Sequence, residues 1–377
     1  MDAFVERISI GPPDGMRIAV KDCIDVAGFS TRLGSRALAD APAAERHAAV
    51  VQSLLDSGCR IVGKARMHEF AYGVTGVDSG GRGPLNPLFP DRIPGGSSSG
   101  SAAAVAAGEA DLALGTDTGG SVRVPAACCG LFGIKPTFGR VSRLGVTPAI
   151  SSLDCVGLFA SSMPAIRSAM AALDHTFENQ VCDVRKVARL QVRAEPAVQR
   201  AVDEALESTA LEVTPASLPS FENAFEAGLK IIAAEAWQAF GRYADDPRIG
   251  PDVAARLRAA SQVGADELVE AERTRERFTA EVAALLQSVD VIVLPTLPDF
   301  PPKRSEIGDA RQLVGITALT RPFNVSGHPA LSVPLLTPDG LPVGLQLVGG
   351  KGDDARLCAL AARLEQLVPC IIRPESE

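Results

Sequence analysis

The sequence has no uninterrupted apolar run of about 18 residues, the length a membrane-spanning helix needs, so no membrane partner is expected. Its basic residues form no run and its formal net charge is −8, which argues against general nucleic-acid binding. No Cys-x-x-Cys pair occurs, and His68–Glu69 lacks the second histidine that a zinc-binding His-Glu-x-x-His helix requires. No metal site is therefore expected. The eight cysteines are scattered, with Cys128 and Cys129 adjacent, and do not form a disulfide framework. The first ten residues lack the basic and apolar pattern of a secretory signal, so free thiols in a reducing cytoplasm are the expected setting. There is no internal repeat, and no Walker-type lysine follows a glycine loop, so nucleotide binding is not indicated.

What is present is material for a core. Across 377 residues, 46% are hydrophobic and 22% charged, enough for one large domain or two ordinary ones. Met16–Val20 reads as a buried strand with Lys21 at its end, where a lysine usually extends to water. Residues 44–58 have helical apolar spacing and stop at Gly58, and Arg60–Gly63 is a short strand. Helix followed by strand favours an α/β layered architecture. In Lys64–Tyr72, Met67, Phe70 and Tyr72 read as core packing ahead of pocket lining. Further strands are predicted over Ala110–Gly115, Leu131–Ile134, Asp290–Pro295, Leu331–Leu336 and Pro342–Val348. Residues 162–288 read as helical, and Asp353–Glu365 as a closing amphipathic helix. The two ends of the chain are thus expected to share one sheet.

The most informative stretch is residues 94–137. Two Gly/Ser-dense loops, Gly95–Ser101 and Gly115–Ser121, flank the small-residue run Ala102–Ala107. Glycine belongs where backbone takes unusual dihedral angles or approaches a ligand closely, so the loops read as a site built from amides and hydroxyls. A flexible Gly/Ser linker is the plainer alternative, disfavoured by the helix that follows directly, for which Ser101 is the natural N-cap.

The string GGSSSGSAAAVAAG, followed by GTDTGGSVRVPAACCGLFGIKPT, resembles the defining stretch of the amidase signature family. IAVKDCIDVAG upstream and FNVSGHPALSVPLLTPDGLPVGLQLVGG downstream are similar to that family's pattern too, and KARMHEFAY over Lys64–Tyr72 resembles its substrate-side helix before the glycine loop. Within the family, the triple serine and GTDTGGSVRVPA look most like indole-acetamide hydrolases. The resemblance implies a single α/β domain with a central mixed β-sheet surrounded by α-helices. The core would span 12–160 and 289–370, and a variable helical region about 162–288 would shape specificity. The chain departs from the family in a shorter middle region and in lacking the N-terminal helices typical of it.

The resemblance also implies the chemistry: hydrolysis of a small carboxamide, of aryl- or indolyl-acetamide type, to acid and ammonia without a cofactor. Ser121 matches the acyl-accepting serine, Ser97 the bridging serine held after a cis peptide bond, and Lys21 the base. A free lysine ionises near about pH 10.4, so such a base needs burial to favour its neutral form. Asp22 is the objection, which strand alternation answers by turning it to the opposite face. The amides of Thr118, Gly119, Gly120 and Ser121 would form the oxyanion hole. Ser98, Met67, Tyr72 and Trp237 are candidate substrate contacts. Asp117 and Arg123 would either brace the loop or form a plain surface pair. The partner expected is a small-molecule amide, with a homodimer as the assembly.

Two rival readings use the same residues. Gly96–Gly100 satisfies Gly-x-Ser-x-Gly, which would make Ser98 the nucleophile of a serine esterase with His175 or His328 as base. That elbow must directly follow a strand, and Pro90 and Pro94 interrupt the approach. The second rival is a glutaminase subunit of an amidotransferase, supplying ammonia for tRNA-dependent amidation.

Overall fold

A computed structural model describes residues 2–77, 82–307 and 312–372. In chain order the strands are β1 (Phe4–Ile10), β2 (Arg17–Lys21), β3 (Arg60–Ala65), β4 (Leu112–Asp117), β5 (Phe132–Lys135), β6 (Cys155–Ala160), β7 (Lys186–Leu190), β8 (Glu212–Ala216), β9 (Val291–Pro295), β10 (Ala330–Leu336) and β11 (Pro342–Val348). They form one sheet in the order β1-β3-β2-β4-β6-β5-β10-β11-β9-β7-β8. β2 runs parallel to β3 and β4, and β7 parallel to β8 and β9, while the other pairs are antiparallel. The halves of the chain meet where β5 pairs with β10, so first and last strands share the sheet.

Among the described residues, ten α-helices cover its faces: α1 (Ala49–Asp56), α2 (Ser99–Ala106), α3 (Arg123–Cys128), α4 (Met163–Leu173), α5 (Pro196–Glu207), α6 (Phe221–Phe240), α7 (Pro251–Ala260), α8 (Ala265–Leu285), α9 (Pro322–Val325) and α10 (Asp354–Leu367). The central strands β4, β6, β9 and β11 are buried along their whole length. Their unbroken apolar runs suit strands covered on both faces. The edge strand β1 is only partly buried. The protein is a single α/β domain with a large mixed sheet surrounded by helices.

Strand alternation sorts the core. Ile18 and Val20 of β2, with Leu112 and Leu114 of β4, face one apolar layer. Ala19 and Ala113 face the other, which contains Ala102–Val105 of α2 and Val124–Cys128 of α3. Lys21, two positions after Ala19, therefore emerges on the side of α2 and α3. Small side chains on α2 let its backbone approach that face closely.

Three sequence expectations need correction. Residues 162–288 are not purely helical, because β7 and β8 extend the sheet with Val187, Ala188 and Leu190 buried. Ser98, not Ser101, occupies the α2 N-cap position, and Ser101 Oγ instead donates to the Leu114 carbonyl at 2.9 Å. No helix forms over Lys64–Tyr72. Lys64 and Ala65 complete β3, and one 3₁₀ turn at Glu69–Ala71 follows, with Phe70 stacked on Phe240 at 4.6 Å. Among the described residues, no helix is long and apolar enough to cross a membrane.

Candidate active site

β2 delivers Lys21 into the space between β4 and the start of α2. The side chain is fully buried, with Nζ 2.7 Å from Thr116 Oγ1 and 2.8 Å from Ser97 Oγ. Burial lowers the Lys21 pKa below its ordinary value of 10.5, and Cys23, Asp154 and Asp117 oppose that shift. Asp22 is turned away, with Oδ1 3.6 Å from the buried Lys64 ammonium. Ser97 is itself fully buried, and the Gly96–Ser97 peptide bond is cis. The Ser97 carbonyl accepts from the His68 amide at 2.9 Å.

The second glycine loop leaves the end of β4 and is organised from inside by Asp117. This carboxylate is fully buried and accepts from the amides of Gly120 (2.7 Å), Val122 (3.2 Å) and Arg123 (3.3 Å). It also accepts from Arg123 Nε and Nη2, at 3.0 and 2.9 Å, and from Asn324 Nδ2 at 2.8 Å. Burial alone would raise its pKa, but the Arg123 guanidinium and these donors outweigh that and hold it well below the ordinary 3.8. Arg123, equally buried, donates onward to the Thr320 carbonyl, Gln346 Oε1 and Asn324 Oδ1. The pair is thus an interior brace tying the loop to α9 and β11, not a surface pair.

Thr118 Oγ1 donates to Asp154 Oδ1 at 2.8 Å, and Arg143 holds that carboxylate from its other side. Gly120 has φ +124°, and a Cβ there would lie 2.2 Å from Thr320 Oγ1, so only glycine fits. Its own amide is committed to Asp117. That corrects the expected oxyanion set, leaving the amides of Thr118, Gly119 and Ser121. Ser121 keeps 9% exposure, against none for Lys21 and Ser97, so it is the most open of the three. Its carbonyl accepts from the Ser98 amide at 3.4 Å. Among the described residues its hydroxyl makes no hydrogen bond to Ser97, as is common before a substrate tightens a site.

Ser98 turns its hydroxyl into the fold. Its hydroxyl is buried and bridges the Thr116 amide and carbonyl at 3.4 and 3.3 Å. Neither histidine invoked for an esterase serves it: His175 is exposed, and burial pushes His328 down to about 3, too weak a base. Met67 packs in the core and borders a cavity of about 930 Å³, also lined by Asp22, His68 and Glu69, that contains none of Lys21, Ser97 and Ser121. Trp237 is 39% exposed and covers Gly241. Tyr72 lies beside Arg321, which stands against Gly119 of the second glycine loop. Sequence reasoning missed Thr116, Asn324, Gln346 and Arg321. Only the apolar setting of the last three, in β11 and the RPFNVSGHPA stretch, hinted that they serve the interior. Among the described residues no group of three or more His, Cys, Asp and Glu side chains is arranged to hold a metal ion.

The family model described as Amidase matches residues 5–358. The chain is 34% identical to a glutamyl-tRNA(Gln) amidotransferase subunit of Methanospirillum hungatei, over 94% of this chain and 93% of that protein. It is similar to the solved structure of the corresponding glutamyl-tRNA(Gln) amidotransferase subunit from Thermotoga maritima, with TM-score 0.84 and 30% identity, covering 99% of this chain and 89% of that one. A solved structure described as an amidase matches with TM-score 0.85 and 32% identity, over 95% of this chain and 86% of that one. The protein belongs to the amidase signature family and is an enzyme that hydrolyses carbon–nitrogen amide bonds.

Proposed function

We propose that Lys21, Ser97 and Ser121 form the proton relay of this hydrolysis, with Ser121 as nucleophile. The observation that carries the reading is the fully buried Lys21 amine 2.8 Å from Ser97 Oγ, beside the loop that bears Ser121. Ser121 Oγ attacks the amide carbon as its proton passes to Ser97 and the Ser97 proton passes to the neutral Lys21 amine. The developing oxyanion is met by the amides of Thr118, Gly119 and Ser121. Collapse breaks the C–N bond, and the proton held at Lys21 returns through Ser97 to the departing nitrogen as ammonia. Water then attacks the Ser121 ester by the same route, releasing the acid and restoring all three groups.

The acyl group is proposed on other grounds. The aryl- or indolyl-acetamide reading has no support among the relatives. Several of them carry the name of an amidotransferase subunit, which favours the glutaminase reading, with the side-chain amide of glutamine as ammonia donor. A homodimer is the proposed assembly of the isolated chain, and light scattering after gel filtration reads it directly. The test of substrate is ammonia release from L-glutamine and from indole-3-acetamide, each with and without ATP and charged tRNA. Glutamine as the faster substrate is the expected result. Faster turnover of indole-3-acetamide would reverse the choice.

The relay also fixes a pH dependence. Lys21 acts as a base only when uncharged, and burial lowers its pKa from 10.5. Therefore kcat/KM is expected to rise with pH and level off through an ionisation below that value. Lys21→Ala is expected to remove this limb along with most of the rate. A profile that falls with rising pH across this range contradicts a lysine base.

A further inference from the structure

Arg321, at the N-cap of α9, is 6% exposed, yet its Nε and Nη1 have no hydrogen-bond partner. The guanidinium stacks over Phe225 of α6 with its carbon 4.9 Å from the ring centroid. It stands against the catalytic loop: a Cβ placed on Gly119 would lie 3.0 Å from Arg321 Nε. On the other side, a Cβ on Gly228 of α6 would lie 2.8 Å from Arg321 Cγ and Cδ, so a residue without a side chain leaves room for the stem. Burial lowers the Arg321 pKa to about 10, and at neutral pH the group keeps its charge. Nearby Glu226 is exposed and, among the described residues, forms no ion pair with it. Structural arginines such as Arg123 are fully matched by acceptors, whereas Arg321 is buried, charged and unmatched beside a glycine two residues from Ser121. Leaving such a charge bare is costly, so its surroundings call for an anion.

We propose that Arg321 is a specificity-determining residue that anchors a carboxylate on the acyl part of the substrate, a few bonds from the scissile carbonyl. A carboxylate matches the planar fork of the guanidinium in shape and charge, and Tyr72, close by, supplies a further polar neighbour. The enzyme would thus select short amides bearing an acyl-side carboxylate over neutral amides of equal length. This rests on Ser121 being the acylated residue, because Gly119 ties the guanidinium to that loop.

The test compares kcat/KM for glutaramate and for pentanamide, in which a methyl group stands in place of the carboxylate. The wild-type enzyme is expected to prefer glutaramate by on the order of 10²-fold or more, the discrimination a hydrogen-bonding site exerts against a substrate that leaves it unpaired. In Arg321→Met the ratio is expected to collapse to within a few-fold of unity, and Arg321→Lys to fall between. A wild-type ratio near one, or an unchanged ratio in Arg321→Met, overturns the proposal. Ser121→Ala instead slows both amides alike, so failure of the nucleophile assignment is distinguishable. Should Arg321→Met not fold, calorimetry on Ser121→Ala decides: glutarate is expected to bind at least tenfold more tightly than pentanoate. Equal binding refutes the anchor.

Discussion

Ser121→Ala is expected to lower kcat by roughly 10⁴- to 10⁶-fold on any amide the enzyme turns over, with folding intact. The size follows from the division of labour in the site. Removing the hydroxyl abolishes the covalent route and leaves only binding and the loop amides to act on attacking water. Ser121 is also the most open of the three relay residues, so the truncation opens no sealed cavity. Ser98→Ala provides the contrast. That hydroxyl bridges Thr116 amide and carbonyl inside the fold, so its loss is expected to cost stability, about 1–3 kcal/mol, far more than rate. Circular dichroism with an ammonia assay on both variants separates the roles. Substantial turnover by Ser121→Ala sinks the nucleophile assignment.

The second large effect lies in the brace. Asp117→Ala would leave the Arg123 guanidinium fully buried without its carboxylate and strip an acceptor from the amides of Gly120, Val122 and Arg123. Breaking a buried pair by removing one partner typically costs about 3–5 kcal/mol, a large share of the roughly 5–15 kcal/mol that holds an ordinary folded domain. The expected reading is a marked fall in denaturant midpoint, together with lost activity as the loop donors drift. The pair also sets an acid limit. Because the folded-state pKa of Asp117 is depressed below 3.8, its contribution is present above that value and is lost as pH falls beneath it. An Asp117→Ala stability within about 1 kcal/mol of wild type would show that the loop is held by other means.

Much of the fold was legible in the chain, because one α/β class fits the alternation of helix and strand. Lys21, Ser97 and Ser121 were singled out through the resemblance of their motifs, since a lysine ending an apolar strand and serines in glycine loops do not by themselves mark chemistry. Less was legible where pairing decides. β7 and β8 lie in a charged, Ala-rich stretch whose local pattern is helical, and they become strands only because β9 offers an edge. β1 was hidden before the Pro12–Pro13 breaker and is defined by pairing with β3. The direction of the Gly120 amide depends on a carboxylate three residues earlier, and Ser101 was drawn off capping by the Leu114 carbonyl. Arg321 and Asn324 stand some 200 residues from the loop they touch, a distance that spacing does not register.

Central to the proposed mechanism is a hydroxyl at Ser121 that would become acylated with help from a buried amine. The direct measurement is mass spectrometry of enzyme quenched in acid during turnover, with peptide mapping of any added acyl mass. The predicted result is one acyl group per chain, located on Ser121, absent from Ser121→Ala and strongly reduced in Lys21→Ala. Acyl mass on Ser97 or Ser98 instead of Ser121 would contradict it.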